Sequence, residues 1–334
     1  MRLSLLMIMG LCLSLAGCAP TISNLAEYRA IPLSQADYLP SVEQLKTQKI
    51  KIVVFPLSEG ATHMAKRSNL GTVTAETIES KLSGGTVEIV DRQSAKKLQQ
   101  EVMLSEITNQ GTYNGPEVAD FAISGNIDKA TFGYQYTAAY TYRDSQGKTY
   151  DYPAAYHFSA IVSGKIKIFQ LPSLKVVKTI TFTDSVGMSE DAHDRVITGR
   201  TGTALVIQAA TDAIHSARFE LKNFFAKKGY VLEKRAKKND KAIYKVNLGT
   251  EDGLKTGDVC QIYTLSKSVN ALTREESTEE FLLGEGKVSN QMGANYSWLV
   301  VRDSDLQSPI RLGDYVKAKY SKSLLEVLGL DTTD

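Results

Sequence analysis

The chain has 334 residues, 43% of them hydrophobic and 23% charged, a composition that supports a packed core and excludes a chain disordered throughout. Its 39 basic and 37 acidic side chains leave a formal charge of +2, so no global field selects nucleic acid or an acidic substrate. Three cysteines, Cys12, Cys18 and Cys260, are too few for a disulfide framework.

Residues 1–17 read as a secretory signal: Arg2, an apolar run through Leu15, then two small residues. The run is short for a membrane-spanning helix. Leu15-Ala16-Gly17-Cys18 resembles the lipobox of bacterial lipoproteins; the competing reading is an ordinary signal peptide with a chance cysteine. The lipobox resemblance implies acylation of Cys18 and cleavage before it. With Ala19 in place of an aspartate, it also implies a lipid-anchored location at the outer membrane, mainly facing the periplasm. Cys260, between Val259 and Ile262, is then a lone thiol expected in a buried strand.

Residues 18–47 lack periodicity and carry Pro20, Pro32 and Pro40, so they read as a lipidated tether. Lys49-Ile50-Lys51-Ile52-Val53-Val54-Phe55 is the first strand, ended by Pro56. A helix is expected over 74–82, a strand over 87–90, a helix over 93–107 and a short helical turn at Gly115-Pro116. Further strands are expected over 121–125, 165–169 and 176–182, joined in the last case by Leu171-Pro172-Ser173. A long amphipathic helix over 202–225 closes this part. Interleaved strands and helices predict an α/β layer structure over 48–230. The charged run 231–241 reads as a solvated basic linker, with contact to anionic lipid or peptidoglycan as the alternative. Short strands with glycine turns over 242–320 predict a small β-barrel or sandwich domain, and 321–334 a C-terminal tail.

Between 131 and 163 the sequence alternates. Phe132, Tyr134, Tyr136, Tyr140 and Tyr142 share one face with Tyr150, Tyr152, Tyr156 and Phe158 after a turn at Asp144-Ser145-Gln146-Gly147. Each limb reaches the roughly 9–11 residues that a tilted strand needs to cross a bilayer. Tyrosine keeps a polar tip, however, so a hairpin that pairs subunits or faces a partner fits as well as a membrane hairpin. Long edge strands favour oligomerisation in either case. The stretch 176–204 keeps alternation only to Phe182, and the charged residues Glu190, Asp191, Asp194 and Arg195 count against a second membrane hairpin.

Val87-Glu88-Ile89-Val90-Asp91-Arg92, the helix bearing Leu98 and Glu101, and Ala119-Asp120 followed by Gly125 resemble, in this order, the CsgG family of curli-secretion lipoproteins. The resemblance covers about 48–230 and implies a layered α/β fold like that of the TolB amino-terminal domain, with a hairpin inserted where 131–163 lies. Arg92 and Glu101 read as a structural ion pair between strand end and helix. Gly249, Gly253 and Gly257, with Asp258, form a Gly-x-x-x-Gly-x-x-x-Gly-Asp turn that resembles the FlgT C-terminal domain, and Arg311-Leu312-Gly313-Asp314 repeats its end. A calcium or phosphate loop is the sharper alternative, but the acidic spacing does not fit one.

No catalytic residue, metal site or cofactor is expected. His63, His157, His193 and His215 lack ligand spacing, and Asp191, His193 and Asp194 read as a polar loop. The expectation is a non-enzymatic outer-membrane lipoprotein that oligomerises within an envelope assembly such as a flagellar ring or a secretion apparatus. Its partners would be copies of itself, other proteins of that machine, and the membrane through the lipid, with no nucleic acid. The alternatives are a CsgG-like secretion pore and a monomeric activator of a peptidoglycan synthase.

Overall fold

The computed structural model describes residues 19–45, 49–84, 86–108, 111–192, 199–237, 242–302, 306 and 308–322. Its strands are β1 (Arg29–Ile31), β2 (Ile50–Val54), β3 (Val87–Ile89), β4 (Phe121–Thr137), β5 (Tyr140–Arg143), β6 (Thr149–Tyr152), β7 (Ala155–Gln170), β8 (Lys175–Asp191), β9 (Lys228–Ala236), β10 (Ile243–Val246), β11 (Val259–Val269), β12 (Glu276–Met292), β13 (Ser297–Val301) and β14 (Tyr315–Lys319). Its α-helices are α1 (Val42–Leu45), α2 (His63–Arg67), α3 (Leu70–Leu82), α4 (Lys96–Thr108) and α5 (Gly199–Phe224). The fold is mixed α and β, mostly β, in two compact units: Lys49–Phe224, and Met1–Gln48 together with Phe225–Asp334.

In the first unit a five-stranded sheet runs β3-β2-β4-β7-β8, with β2 parallel to β3 and β4 and the rest antiparallel. The β-branched run of β2 is buried on both faces, as a central parallel strand requires. Val53 and Phe55 pack with Ala122, Phe169 and Leu98 and Val102 of α4. Helix α5 lies along β7 and β8 and against α3. Its apolar stripe of Val206, Ala210, Ala213, Ile214, Ala217 and Leu221 is buried. A register shift in β4 between Ile127 and Lys129 turns the inward parity from odd (Ile123, Ile127) to even (Ala130, Phe132). That shift lets one strand with two alternation phases keep a single face toward α5.

Several expectations change here. Helix α3 starts at Leu70, four residues before the expected start, and no helix forms at Gly115-Pro116. Strand β8 continues past Phe182 to Asp191, paired residue by residue with β7, so the charged end of this limb belongs to the sheet. Arg92 does not pair with Glu101. It reaches across to α3, where its Nε and Nη2 donate to the two carboxylate oxygens of Glu79 at 2.9 and 2.8 Å. The fork-to-fork pair keeps the Arg92 guanidinium protonated ever more firmly, pushing its pKa up.

In the second unit β9-β10-β13-β12-β11-β14 form an antiparallel sheet that closes on itself, because β14 also pairs with β9. Val231, Tyr244, Cys260, Ile262, Val288, Leu299 and Val316 fill the interior. The barrel begins at Lys228, three residues before the stretch 231–241 read as a linker, and β9 runs on through that stretch to Ala236. Val231 of that stretch is buried, Lys234 lies over the ring of Tyr244, and Arg235, on the opposite face, lies over the ring of Trp298. Alternation hidden in a charge run made a strand look like a solvated segment; residues 238–241 lie outside the described ones.

The segment expected to be a tether is docked on the barrel. Ile243 and Trp298 leave an apolar patch on the barrel's outer surface, and Ile22 covers it with Leu25 and Tyr28 beside it. Further on, β1 adds to the edge of β9, Ala36 N–H donates to the Leu312 carbonyl at 2.9 Å, and Asp37 accepts from Arg311 at 3.0 Å. Cys18 and the signal segment 1–17 lie outside the described residues, as do 323–334 of the expected tail.

Candidate interaction surface on the β-arm

The length of α5 decides how much of the sheet is covered. One end of the helix lies at Phe121, whose ring meets that of Phe224 edge-on at 5.7 Å, and the other at Phe132, against which Gly202 fits with no room for a Cβ. From Gly202 to Phe224 the helix spans about 33 Å at 1.5 Å per residue, and from Phe132 to Phe121 the strand spans about 36 Å at 3.3 Å per residue. The strands run on past the helix. Beyond Phe132, among the described residues, Tyr134, Tyr136, Tyr140 and Tyr142 on this face are exposed.

That bare extension is a β-arm whose inward-parity positions are aromatic. Tyr134 lies opposite Phe158 and Tyr136 opposite Tyr156 in β4 and β7; Tyr140 lies opposite Tyr152 and Tyr142 opposite Tyr150 in the β5–β6 tip. The rings form a ladder: Phe132–Phe158 at 5.9 Å, Tyr156–Phe158 at 5.9 Å, Tyr136–Tyr156 at 5.2 Å and Tyr140–Tyr152 at 4.8 Å. Neighbouring aromatic pairs like these hold one another in place without a hydrophobic core. Tyr134, Tyr136, Tyr140, Tyr142 and Tyr152 are exposed, whereas Phe158 is 5% exposed and stacks on Phe132. Phe132 is half-buried at the boundary. The reverse face carries Gln135, Thr141, Asp151 and His157, the last within 2.8 Å of Ser189 Oγ on β8. Strand β8 has a neighbour on one side only among the described residues, so the arm also offers a long free edge.

The glycine turns of the barrel hold structure. Gly253 and Gly257 take φ values of +81° and +93°, and a Cβ on Gly249 would lie 2.3 Å from the Gly293 carbonyl oxygen. Asp258 Oδ2 accepts from the Lys255 N–H at 2.8 Å, and Asp314 Oδ2 accepts from the Arg311 N–H at 2.7 Å, with Gly313 at φ +91°. The two sequence-matched turns are therefore one conformation used twice, each leading into a barrel strand. Asp252 is buried, accepts from the Gly249 N–H at 2.9 Å and pairs with Lys227 at 2.6 Å. Sequence reading missed Lys227 and Glu79, since their partners come from other elements.

Among the described residues no three His, Cys, Asp or Glu side chains come close enough to hold a metal ion; His193 and Asp194 lie outside them. Asp120, at the rim of a hollow beside Phe121 and Pro172, accepts from the Lys51 N–H at 2.7 Å and so ties β2 to β4. Cys260 is fully buried, and burial, reinforced by Asp258, pushes its thiol up to about 12.

No family model matches the chain, and none of the curated proteins does. Among solved structures it is similar to the PelC dodecamer from Paraburkholderia phytofirmans in two crystal forms. A point variant is 13% identical, covering 55% of this chain and 95% of that one at a TM-score of 0.21. The second form is 10% identical over 54% and 94% at a TM-score of 0.22. Likeness at this level assigns neither fold nor function.

Proposed function

We propose that the chain is a non-enzymatic lipoprotein of the bacterial outer membrane that assembles with copies of itself as a structural part of an envelope machine, such as a flagellar ring or a secretion apparatus. The observation that carries the reading is the tyrosine ladder of the arm. It continues the face that α5 covers, yet beyond Phe132 nothing in the described chain covers it. A run of exposed aromatics whose hydroxyl tips tolerate water suits a protein–protein contact. The open β8 edge beside it supplies backbone groups for a neighbouring subunit.

The test is sedimentation of the detergent-extracted protein. The wild type should run as a large homo-oligomer, and Tyr136→Ser with Tyr140→Ser and Tyr152→Ser should run as a monomer with an unchanged circular dichroism spectrum. A monomeric wild type would leave the regulator of a peptidoglycan synthase as the better reading. A second reading, insertion of the arm into the bilayer as part of a multisubunit pore, is favoured by the 17 and 16 residues of β4 and β7. Fluorophores placed at Tyr136→Cys and Tyr152→Cys separate the two: brominated lipid acyl chains should leave both unquenched, and quenching of both would favour the pore.

A further inference from the structure

The residue after the expected lipid attachment site is fixed on the barrel. A Cβ on Gly257 would lie 3.3 Å from the Cβ of Ala19, so Ala19 sits on the 255–258 turn. Three residues on, Ile22 is pinned: its N–H donates to Asn290 Oδ1 at 2.7 Å, its carbonyl accepts from Gln291 Nε2 at 3.1 Å, and its side chain is buried. Four residues of extended chain span at most about 14 Å. Acyl chains on Cys18 would therefore hold this end of the barrel at the bilayer surface with no spacer between.

The same end is basic. Lys287 and Lys319 stand opposite Val259 on its two neighbouring strands, Lys255 is in the turn, and Lys228 faces Lys317 across β9 and β14. All but Lys317 are exposed. The acids here are Glu251, Asp252, which is buried and pairs with Lys227 at 2.6 Å, Glu285, which binds Lys319 at 2.7 Å, and Asp258, whose carboxylate is taken by the Lys255 N–H. Along the β11–β12 hairpin, which runs about 33 Å beyond Val259 at 3.3 Å per residue, the charge reverses: Glu275 and Glu276 are exposed at its far end and Glu279 and Glu280, opposite Ser266 and Leu265, about two-thirds of the way along, against Lys267 and Arg274. An anionic surface attracts the first end and repels the second.

We propose that the end of the barrel formed by Ala19, Lys228, Lys255, Lys287 and Lys319 is a membrane-contact surface seated on anionic phospholipid headgroups, with the β11–β12 hairpin directed away from the bilayer. The proposal rests on the lipoprotein reading above, through acylation of Cys18, and assigns that lipoprotein its membrane-facing side. The test uses the acylated full chain in vesicles of phosphatidylcholine and phosphatidylglycerol carrying a headgroup spin label. A fluorophore is attached at Thr256→Cys or at Leu272→Cys, on the exposed turn of the hairpin. Cys260 stays silent because it is buried. Quenching should be several-fold stronger at position 256 than at 272, and the difference should shrink when phosphatidylglycerol is left out. Equal quenching at both positions, in protein whose mass shows acyl groups on Cys18, would overturn the surface and leave the lipoprotein reading standing. Absence of acyl groups on Cys18 would overturn both.

Discussion

Gly313 and Gly257 show how a single backbone demand shapes the barrel. Each holds a positive φ in front of an aspartate that closes the turn, and at Gly313 a Cβ would also lie 2.7 Å from Leu39 Cδ2. Gly313→Ala should cost about 1–2 kcal/mol, the penalty of a left-handed conformation for a residue with a Cβ, read as a drop of several degrees in the barrel's thermal midpoint. Lys227 matters for a different reason. It pairs with Asp252 where the two side chains are only 11% and 3% exposed, so Lys227→Met would strand a buried carboxylate and should destabilise by about 3–5 kcal/mol in chemical denaturation. Cys260 sets a pH limit. Its thiol titrates near 9 when unfolded and near 12 when folded, so the folded state keeps the proton that the unfolded state loses. The stability it contributes is fully present below about pH 9 and is lost as pH rises toward 12. Burial shifts Tyr230, Tyr263, Tyr315 and Tyr320 in the same direction. Denaturation midpoints should fall across this window, and fall less steeply in Cys260→Ala.

Among the elements, the strand end at Arg92 and the arm show what sequence spacing reveals and what it hides. Asp91-Arg92 was legible as a strand end with a structural arginine. Its partner was not, because Glu79 is on the preceding helix, α3, and only tertiary packing brings the two together. A double-mutant cycle should give a coupling of about 0.5–1 kcal/mol for Arg92 with Glu79 and none for Arg92 with Glu101. The arm was legible in more detail, since period-two alternation of tyrosines over two limbs fixes both pairing and face. What alternation left open was where burial stops. Phe132 and Phe158 follow the same pattern as Tyr136 and Tyr152, yet Phe132 packs under Gly202 of α5 and stacks on the buried Phe158, while Tyr136 and Tyr152 are exposed. Phe158→Ala should accordingly cost about 3–5 kcal/mol in unfolding, while Tyr136→Ser should change stability by less than about 1 kcal/mol and act on assembly instead.

At the scale of the whole molecule, residues 19–40 complete the barrel unit. They cover the Ile243 and Trp298 patch and add β1 to the edge of β9. Their deletion should lower the barrel's melting temperature and open β9 to proteolysis, with β2–β8 and α3–α5 unaffected. A true tether would leave both units as they were. The sequence by itself determined local facts: most of the strands and helices, the alternation of the arm, the paired Gly-Asp turns, a run of short strands over 242–320, and a core position for Cys260. Those properties follow from residue type and spacing over a few neighbours. Tertiary structure alone decided that the proline-bearing segment after Cys18 is docked, that the run Glu233-Lys234-Arg235 is a barrel strand, that Arg92 belongs to Glu79, and that the tyrosines beyond Phe132 are bare. Each of these depends on a surface presented by a distant part of the chain, a free apolar patch, an open strand edge or the end of a covering helix, and no local pattern of residues records such a surface.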